Sequence, residues 1–193
     1  MTARSITGVL VAAAMTAATA GALAQGAAEK KPALLKPASE MSQLKFFDGS
    51  WSCSGEMMPA PGAPAVKTRS SVKSHSDLSG FWQSGIVKSS AVGMPPFEGM
   101  FHMTYDTAGK QFLMLWVDNM GGWSQETSPG WEGDKIVFTG EGVMNGQKMG
   151  ARDTFTRNAD GSLKHVPELQ SGGNWMPAGE ETCKKAAPAP AKK

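Results

Sequence analysis

Phe46-Phe47-Asp48-Gly49-Ser50-Trp51-Ser52-Cys53-Ser54-Gly55-Glu56 is the stretch that decides the fold. Two aromatic residues end a short apolar turn, Gly49 supplies a pivot, and an alternating run then opens a β-strand. Cys53 has one other cysteine in the chain to pair with, Cys183, at the far end of the patterned region. A bond between them staples the first strand beside the last, which is what closing a sheet into a barrel requires. Two free, buried thiols are the alternative.

On the N-terminal side of this stretch, Ser39 or Ser42 offers a cap for a short helix running through Phe47. Met41, Leu44, Phe46 and Phe47 form its apolar side. On the C-terminal side, short alternating runs separated by turn residues continue to residue 184. They divide into about ten strands: 50–58, 66–77, 80–90, 97–106, 110–118, 122–128, 134–141, 147–157, 162–170 and 174–184. Asp106-Thr107-Ala108-Gly109 and Asn158-Ala159-Asp160-Gly161 place glycine where a hairpin needs a left-handed residue. Gly121-Gly122, Asn145-Gly146 and Gly172-Gly173 serve other hairpins in the same way. Turns this tight make sequence neighbours antiparallel neighbours, an up-and-down order. Pro59, Pro61 and Pro64 force one longer loop, and Met94-Pro95-Pro96 a second.

Period-two alternation assigns the faces. In strand 97–106, Phe97, Gly99, Phe101, Met103 and Tyr105 share the side expected inside. Strand 110–118 does not alternate, because Phe112 through Val117 is apolar on both faces. Such a strand calls for cover on both sides. The turn around residues 44–47 or a second subunit in a homodimer are the two expected sources of an outer cover.

The ends read differently. Residues 1–24 have the form of a secretory signal: Arg4, an Ala-rich core over 8–20, and Ala22-Leu23-Ala24 as the cleavage pattern. The apolar run is shorter than the roughly 20 residues of a membrane span. The mature chain is therefore expected in a periplasm or secreted. Residues 25–38 read as a linker, 39–185 as the domain, and 186–193 as a solvated Lys/Pro/Ala tail. Formal charge is +2 and falls to +1 without Arg4, a poor balance for nucleic acid, whose phosphates demand basic residues. Two cysteines in an exported chain favour the disulfide. Closing a loop of about 130 residues would contribute up to ~4–5 kcal/mol in the chain-entropy picture.

Nothing in the spacing marks an enzyme. The three histidines, His75, His102 and His165, lack metal-ligand spacing, and no Cys-x-x-Cys or Gly-x-Ser-x-Gly occurs. His165 shares parity with Leu163 and Leu169 and should point inward, across a hairpin from Phe155, with Asp153 on the same inner face. That pair is either a hydrogen-bonded core feature or the polar anchor of a cavity. Eleven of the 13 methionines lie beyond residue 24, without the clustered spacing that Cu(I) would need. Filling irregular gaps around an apolar space suits them better. Asp118-Asn119-Met120-Gly121-Gly122 is the densest polar turn, and its Asp and Asn side chains are expected to bond their own backbone, the structural reading. The functional alternative is a place at the barrel mouth beside Trp123 and Trp131, where they could grip a ligand.

Gly49-x-Trp51 at the start of the first strand resembles the entrance motif of lipocalins and related calycin barrels. Longer runs are more specific: Trp116-Val117-Asp118-Asn119-Met120-Gly121-Gly122, Thr127-Ser128-Pro129-Gly130-Trp131-x-Gly133-Asp134 and Val137-Phe138-Thr139-Gly140-Glu141. With Arg152-Asp153-Thr154-Phe155-Thr156 and Glu180-Glu181-Thr182-Cys183-Lys184, they resemble the bacterial domain-of-unknown-function family 1579 over nearly all of 46–185. The resemblance implies a calycin-like barrel, similar in outline to ten-stranded nitrobindin barrels, and no established activity. By the same resemblance Trp51 would pack against a basic residue of the last strand, Lys184 or Lys185. The nitrobindin outline also implies haem on an inner-wall histidine, here His165, as an alternative cofactor.

The resulting expectation is an all-β, up-and-down antiparallel calycin-like barrel of about ten strands, preceded by a short helical turn and bridged by Cys53 and Cys183. Its favoured function is non-catalytic binding of a small apolar or amphipathic molecule. Phe101, Met103, Tyr105, Phe155 and His165 would line the site, with Trp123, Asp118 and Asn119 at the mouth. The competing expectation is an interaction module with a filled core, its fifth strand covered by another subunit.

Overall fold

The computed structural model describes residues 35–58 and 63–186. The expected leader at 1–24, most of the expected linker at 25–38, part of the first proline-rich loop and nearly all of the expected tail at 186–193 lie outside the described residues. The strands are β1 (Gly49–Met57), β2 (Val66–Asp77), β3 (Trp82–Ala91), β4 (Phe97–Asp106), β5 (Gln111–Asp118) and β6 (Trp123–Ser128). They continue as β7 (Trp131–Glu132), β8 (Lys135–Met144), β9 (Gln147–Arg157), β10 (Leu163–Ser171), β11 (Asn174–Pro177) and β12 (Gly179–Lys185).

Ten of these close a barrel. β1 to β6 pair in order, β6 pairs β8, β8 pairs β9, β9 pairs β10, β10 pairs β12, and β12 returns to β1. All pairings are antiparallel, so the order is up-and-down and the circuit has no free edge. The seam runs from Trp51 opposite Lys185 to Met57 opposite Gly179. Cys53 faces Cys183 within it, and the two sulfurs are bonded across 130 residues of chain. The expected disulfide is present.

Two departures concern short strands. The expected strand 174–184 is broken at Ala178 into β11 and β12, both bonded to β10. Pro177 has no amide to donate, and a side chain on Gly179 would strike Met57 of β1. The chain bends there, with the Ala178 amide donating to Pro167 O. The two-residue β7 was not expected; it is set between Gly130 and Gly133, both at positive φ.

A 3-10 segment, Ser39–Phe47, plugs one end of the barrel. Neither Ser39 nor Ser42 caps it; Ala38 precedes it, and Ser39 Oγ donates to Glu40 instead. Burial of Leu44 and Phe47 holds the plug, along with Gln83 Nε2, which donates to Asp48 Oδ1 at 2.8 Å. Trp51 Nε1 donates to Phe47 O at 2.9 Å, and Lys185 Nζ lies 5.1 Å from the Trp51 ring. Lys185 is thus the basic partner that the lipocalin resemblance called for. Trp131 also packs here, on Phe46 and Phe47 under the Arg157 guanidinium. The expectation that Trp131 sits at the mouth is therefore wrong, because the β6–β8 connection lies at the plugged end.

The plug packs against β2, β3 and β4 and does not cover the outside of β5. Phe112, Met114 and Trp116 point inward, while Leu113, Leu115 and Val117 point out, Val117 with 48% of its surface exposed. Register places Val117 in an outward row with Ile86, Met100 and Trp123, all more than a third exposed. Inside, Phe112, Ile136 and Phe138 fill the barrel near the plug.

Candidate functional site

Beyond those residues the barrel is hollow. A cavity of about 350 Å³ reaches from Phe47 and Trp51 at its floor to Met58, Met94, Met120 and Met144 around the opposite opening. Strand direction explains which end is open: β1, β3, β5 and β8 all finish there, away from the plug. Side-chain size explains the hollow. Ser70, Ser89, Gly142 and Ala151 occupy inward positions where larger residues would fill the space. Gly140 and Gly142 have no alternative, since a Cβ on either would strike the β6 backbone. Aromatic rings lie flat along the wall where glycine leaves room, Phe101 across Gly85 and Trp116 across Gly99.

Of the residues the sequence nominated, Phe101, Met103, Phe155 and His165 line this cavity. Tyr105 does not. It sits at the plugged end of β4 with its ring 5.1 Å from Phe112. Trp123 is at the rim, on the outward side of β6 by register. Asp118 borders the opening, but its carboxylate is spent on the turn, accepting from the Met120 and Gly122 amides and from Trp116 Nε1. Asn119 faces away and ties two loops together, donating to Pro96 O and accepting from the Glu98 amide. Both follow the structural reading of that turn.

The polar part of the cavity is one connected wall. His165 stacks on Phe155, with ring centres 4.5 Å apart. Its Nε2 lies 2.6 Å from Asp153 Oδ1 and its Nδ1 3.2 Å from Glu181 Oε1. Carboxylates accept only, so both ring nitrogens donate and the ring is an imidazolium. Ser70 Oγ stands 3.1 Å from Glu181 Oε2 and 3.2 Å from Ser89 Oγ. Next to Asp153, Glu126 is wholly buried, with Oε1 accepting from Ser124 Oγ at 2.6 Å. Its Oε2 has no hydrogen-bond donor.

Parity with Cys183 places Glu181 inward, a signal that was present in the sequence and unused. Gly55 stands opposite and leaves room for the Glu181 backbone. Glu126 gave less warning, because Trp123-Ser124-Gln125-Glu126-Thr127-Ser128 is polar on both faces of most of its length.

These environments shift the titrations. Burial alone would lower His165, but its bonds to Asp153 and Glu181 overcome that and raise it from 6.5 to about 10. Burial first, then the Asp153 charge, raises Glu126 from 4.5 to about 8. Burial pushes Glu181 upward, and the His165 bond and charge reverse this, leaving it below its usual range.

Folded His165 and Glu126 hold their protons more tightly than the unfolded chain does, so both contributions to stability decline as pH rises. The decline spans 4.5 to about 8 for Glu126 and 6.5 to about 10 for His165. Glu181 acts oppositely, its contribution being lost as pH falls through its lowered value. Thermal melts should therefore show greatest stability in mild acid and a falling Tm from about pH 6 to about pH 10. Glu126→Gln should flatten the part of that fall below about pH 8. A Tm that climbs over this range contradicts the assignment.

A family model described as "Protein of unknown function (DUF1579)" matches residues 36–185. No curated protein matches the sequence. Among solved structures, the chain is similar to one described as "Crystal Structure of Rv2717c from M. tuberculosis", with a TM-score of 0.63 and 13% identity. The match covers 79% of this chain and 100% of that one, and at this identity it speaks for the barrel alone. Family match, barrel circuit and the motif runs from Trp116 to Lys184 agree: the chain belongs to the DUF1579 family.

Proposed function

We propose that the protein is exported and holds a small apolar or amphipathic molecule inside its barrel without transforming it. The observation that carries this reading is the cavity, about 350 Å³, within the range of small-molecule sites, apolar apart from one buried polar wall. Export is supported by the leader-like residues 1–24 and by a disulfide, which persists in oxidising compartments. No helix among the described residues is long and apolar enough to cross a membrane.

Chemistry on the ligand is disfavoured by the order of the polar groups. A hydrolytic triad needs the imidazole against the nucleophilic hydroxyl, and here Glu181 stands between Ser70 and His165. Haem does not fit His165 either. Iron takes a neutral imidazole lone pair, and both nitrogens are committed to carboxylates. Among the described residues the one metal-like cluster joins Glu181 to Cys53 and Cys183, whose sulfurs are bonded to each other.

Val87 lines the cavity and is half-buried, so Val87→Phe should fill space without breaking the plug. Decanol binding, followed by tryptophan fluorescence, should weaken about tenfold or more in this variant while Tm stays within a few degrees. Undiminished binding in the filled barrel contradicts an internal site.

The outward row of Ile86, Met100, Val117 and Trp123 favours a second reading, association of two copies across the outside of β5. Sedimentation velocity should then show a concentration-dependent dimer that Val117→Glu abolishes. A monomer at every concentration rules this reading out.

A further inference from the structure

We propose that the polar end of the bound molecule is a protonated amine, seated against Glu126 and Asp153 where β6 and β9 face the cavity. This rests on the reading that the cavity takes a ligand, and it names the ligand's class.

Charge is the first argument. The residues lining the cavity include Asp153, Glu181 and Glu126 and no lysine or arginine. Two carboxylates surround one imidazolium, so the wall carries an excess negative charge even while Glu126 holds its proton. The other acids at the lining are already satisfied, Glu168 by a bidentate Arg152 and Asp118 by its own turn. A carboxylate headgroup would meet that excess charge inside an apolar, weakly screened space. An ammonium is drawn to it, and leaves it no larger even after displacing the proton on Glu126.

Hydrogen bonding is the second. Glu126 Oε2 is buried and finds no donor, and its polar neighbour Asp153 also only accepts, so in the empty barrel only a proton between the two carboxylates can satisfy them. An alkylammonium brings three N–H donors on a compact charge, enough for Glu126, Asp153 and one further acceptor. The apolar remainder of the molecule would then run toward Met114, Trp116 and the methionine-rimmed opening.

The groups facing Glu126 are few. Among the described residues β5 presents Met114, β8 presents Gly140, β9 presents Asp153 and β10 presents His165. In the empty barrel the repulsion of Asp153 is relieved by a proton on Glu126. When the ammonium arrives, that proton leaves to solvent and the cation takes its place. Amine affinity should therefore rise with pH until Glu126 is ionised, near 8, and fall again as the amine loses its own proton.

Isothermal titration of decylamine, decanol and decanoate into the full chain at about pH 7 tests this. Decylamine should bind about tenfold or more tightly than decanol, with decanoate weakest. Repeating the decylamine titration in buffers of different ionisation enthalpy should reveal release of about one proton. Glu126→Gln should cut the preference for decylamine over decanol severalfold and abolish the proton release. Decanol or decanoate binding as tightly as decylamine, or decylamine binding without proton release, overturns the proposal and leaves the carrier reading standing. Failure of all three compounds to bind removes both. The ligand comparison and the proton count use the unaltered protein, so they decide the matter even where the glutamine variant does not fold.

Discussion

The pairing of β1 with β12 is the contact on which everything else rests. Each strand of a sheet satisfies its backbone groups through its neighbours, and only closure satisfies the first and the last. Here the seam is made by residues more than a hundred positions apart, with Cys53 bonded to Cys183 inside it. An ordered seam this distant is entropically costly to assemble, and the disulfide offsets part of that cost by restricting the unfolded chain. Closure also turns a surface into an interior. β12 already holds Glu181 beside His165 of β10, and closure brings both to Ser70 of β2, which an open sheet would leave far away.

That interior is neither a packed core nor a plain apolar pocket. Near the plug, Leu44, Phe47, Phe112 and Phe138 are buried and fill the barrel. Above them, small inward residues leave space, and His165, Asp153, Glu181 and Glu126 share its walls. Burying charge is costly unless each charge has a partner, and His165 has two. Glu126 has none that is oppositely charged and in contact, and its raised pKa reflects that cost. A sequence that needed only a stable barrel would place a leucine there. The retained polar wall is the physical reason to read the cavity as a site.

Much of the fold was legible because alternation, glycine turns and a single possible cysteine pair all pointed one way. β4 and β9 fall at the residues the pattern marks, 97–106 and 147–157. The break at Ala178 was marked in the sequence by Pro177 and Gly179, but that the chain bends there and both pieces bond β10 depends on which strand lies opposite. The plug's true place was hidden for the same reason: an apolar turn fits a barrel end or a strand's outer face equally well. For the site, inward parity identified His165, Asp153 and Phe155, and their contact is present. Glu126 escaped because a polar residue between polar neighbours looks solvated, whichever side it faces. Tyr105 shows the converse limit, as parity reports the face of a strand and says nothing of depth along the barrel.

Amide hydrogen exchange on the oxidised chain tests closure most directly, because the disulfide alone could hold β1 near β12 without a ladder between them. The account predicts that seam amides of both strands exchange as slowly as those of β4 and β5, opening only with the whole barrel. Seam amides exchanging at the rate of unprotected chain, while β4 and β5 stay protected, would show an open sheet, and with it no enclosed interior for a ligand.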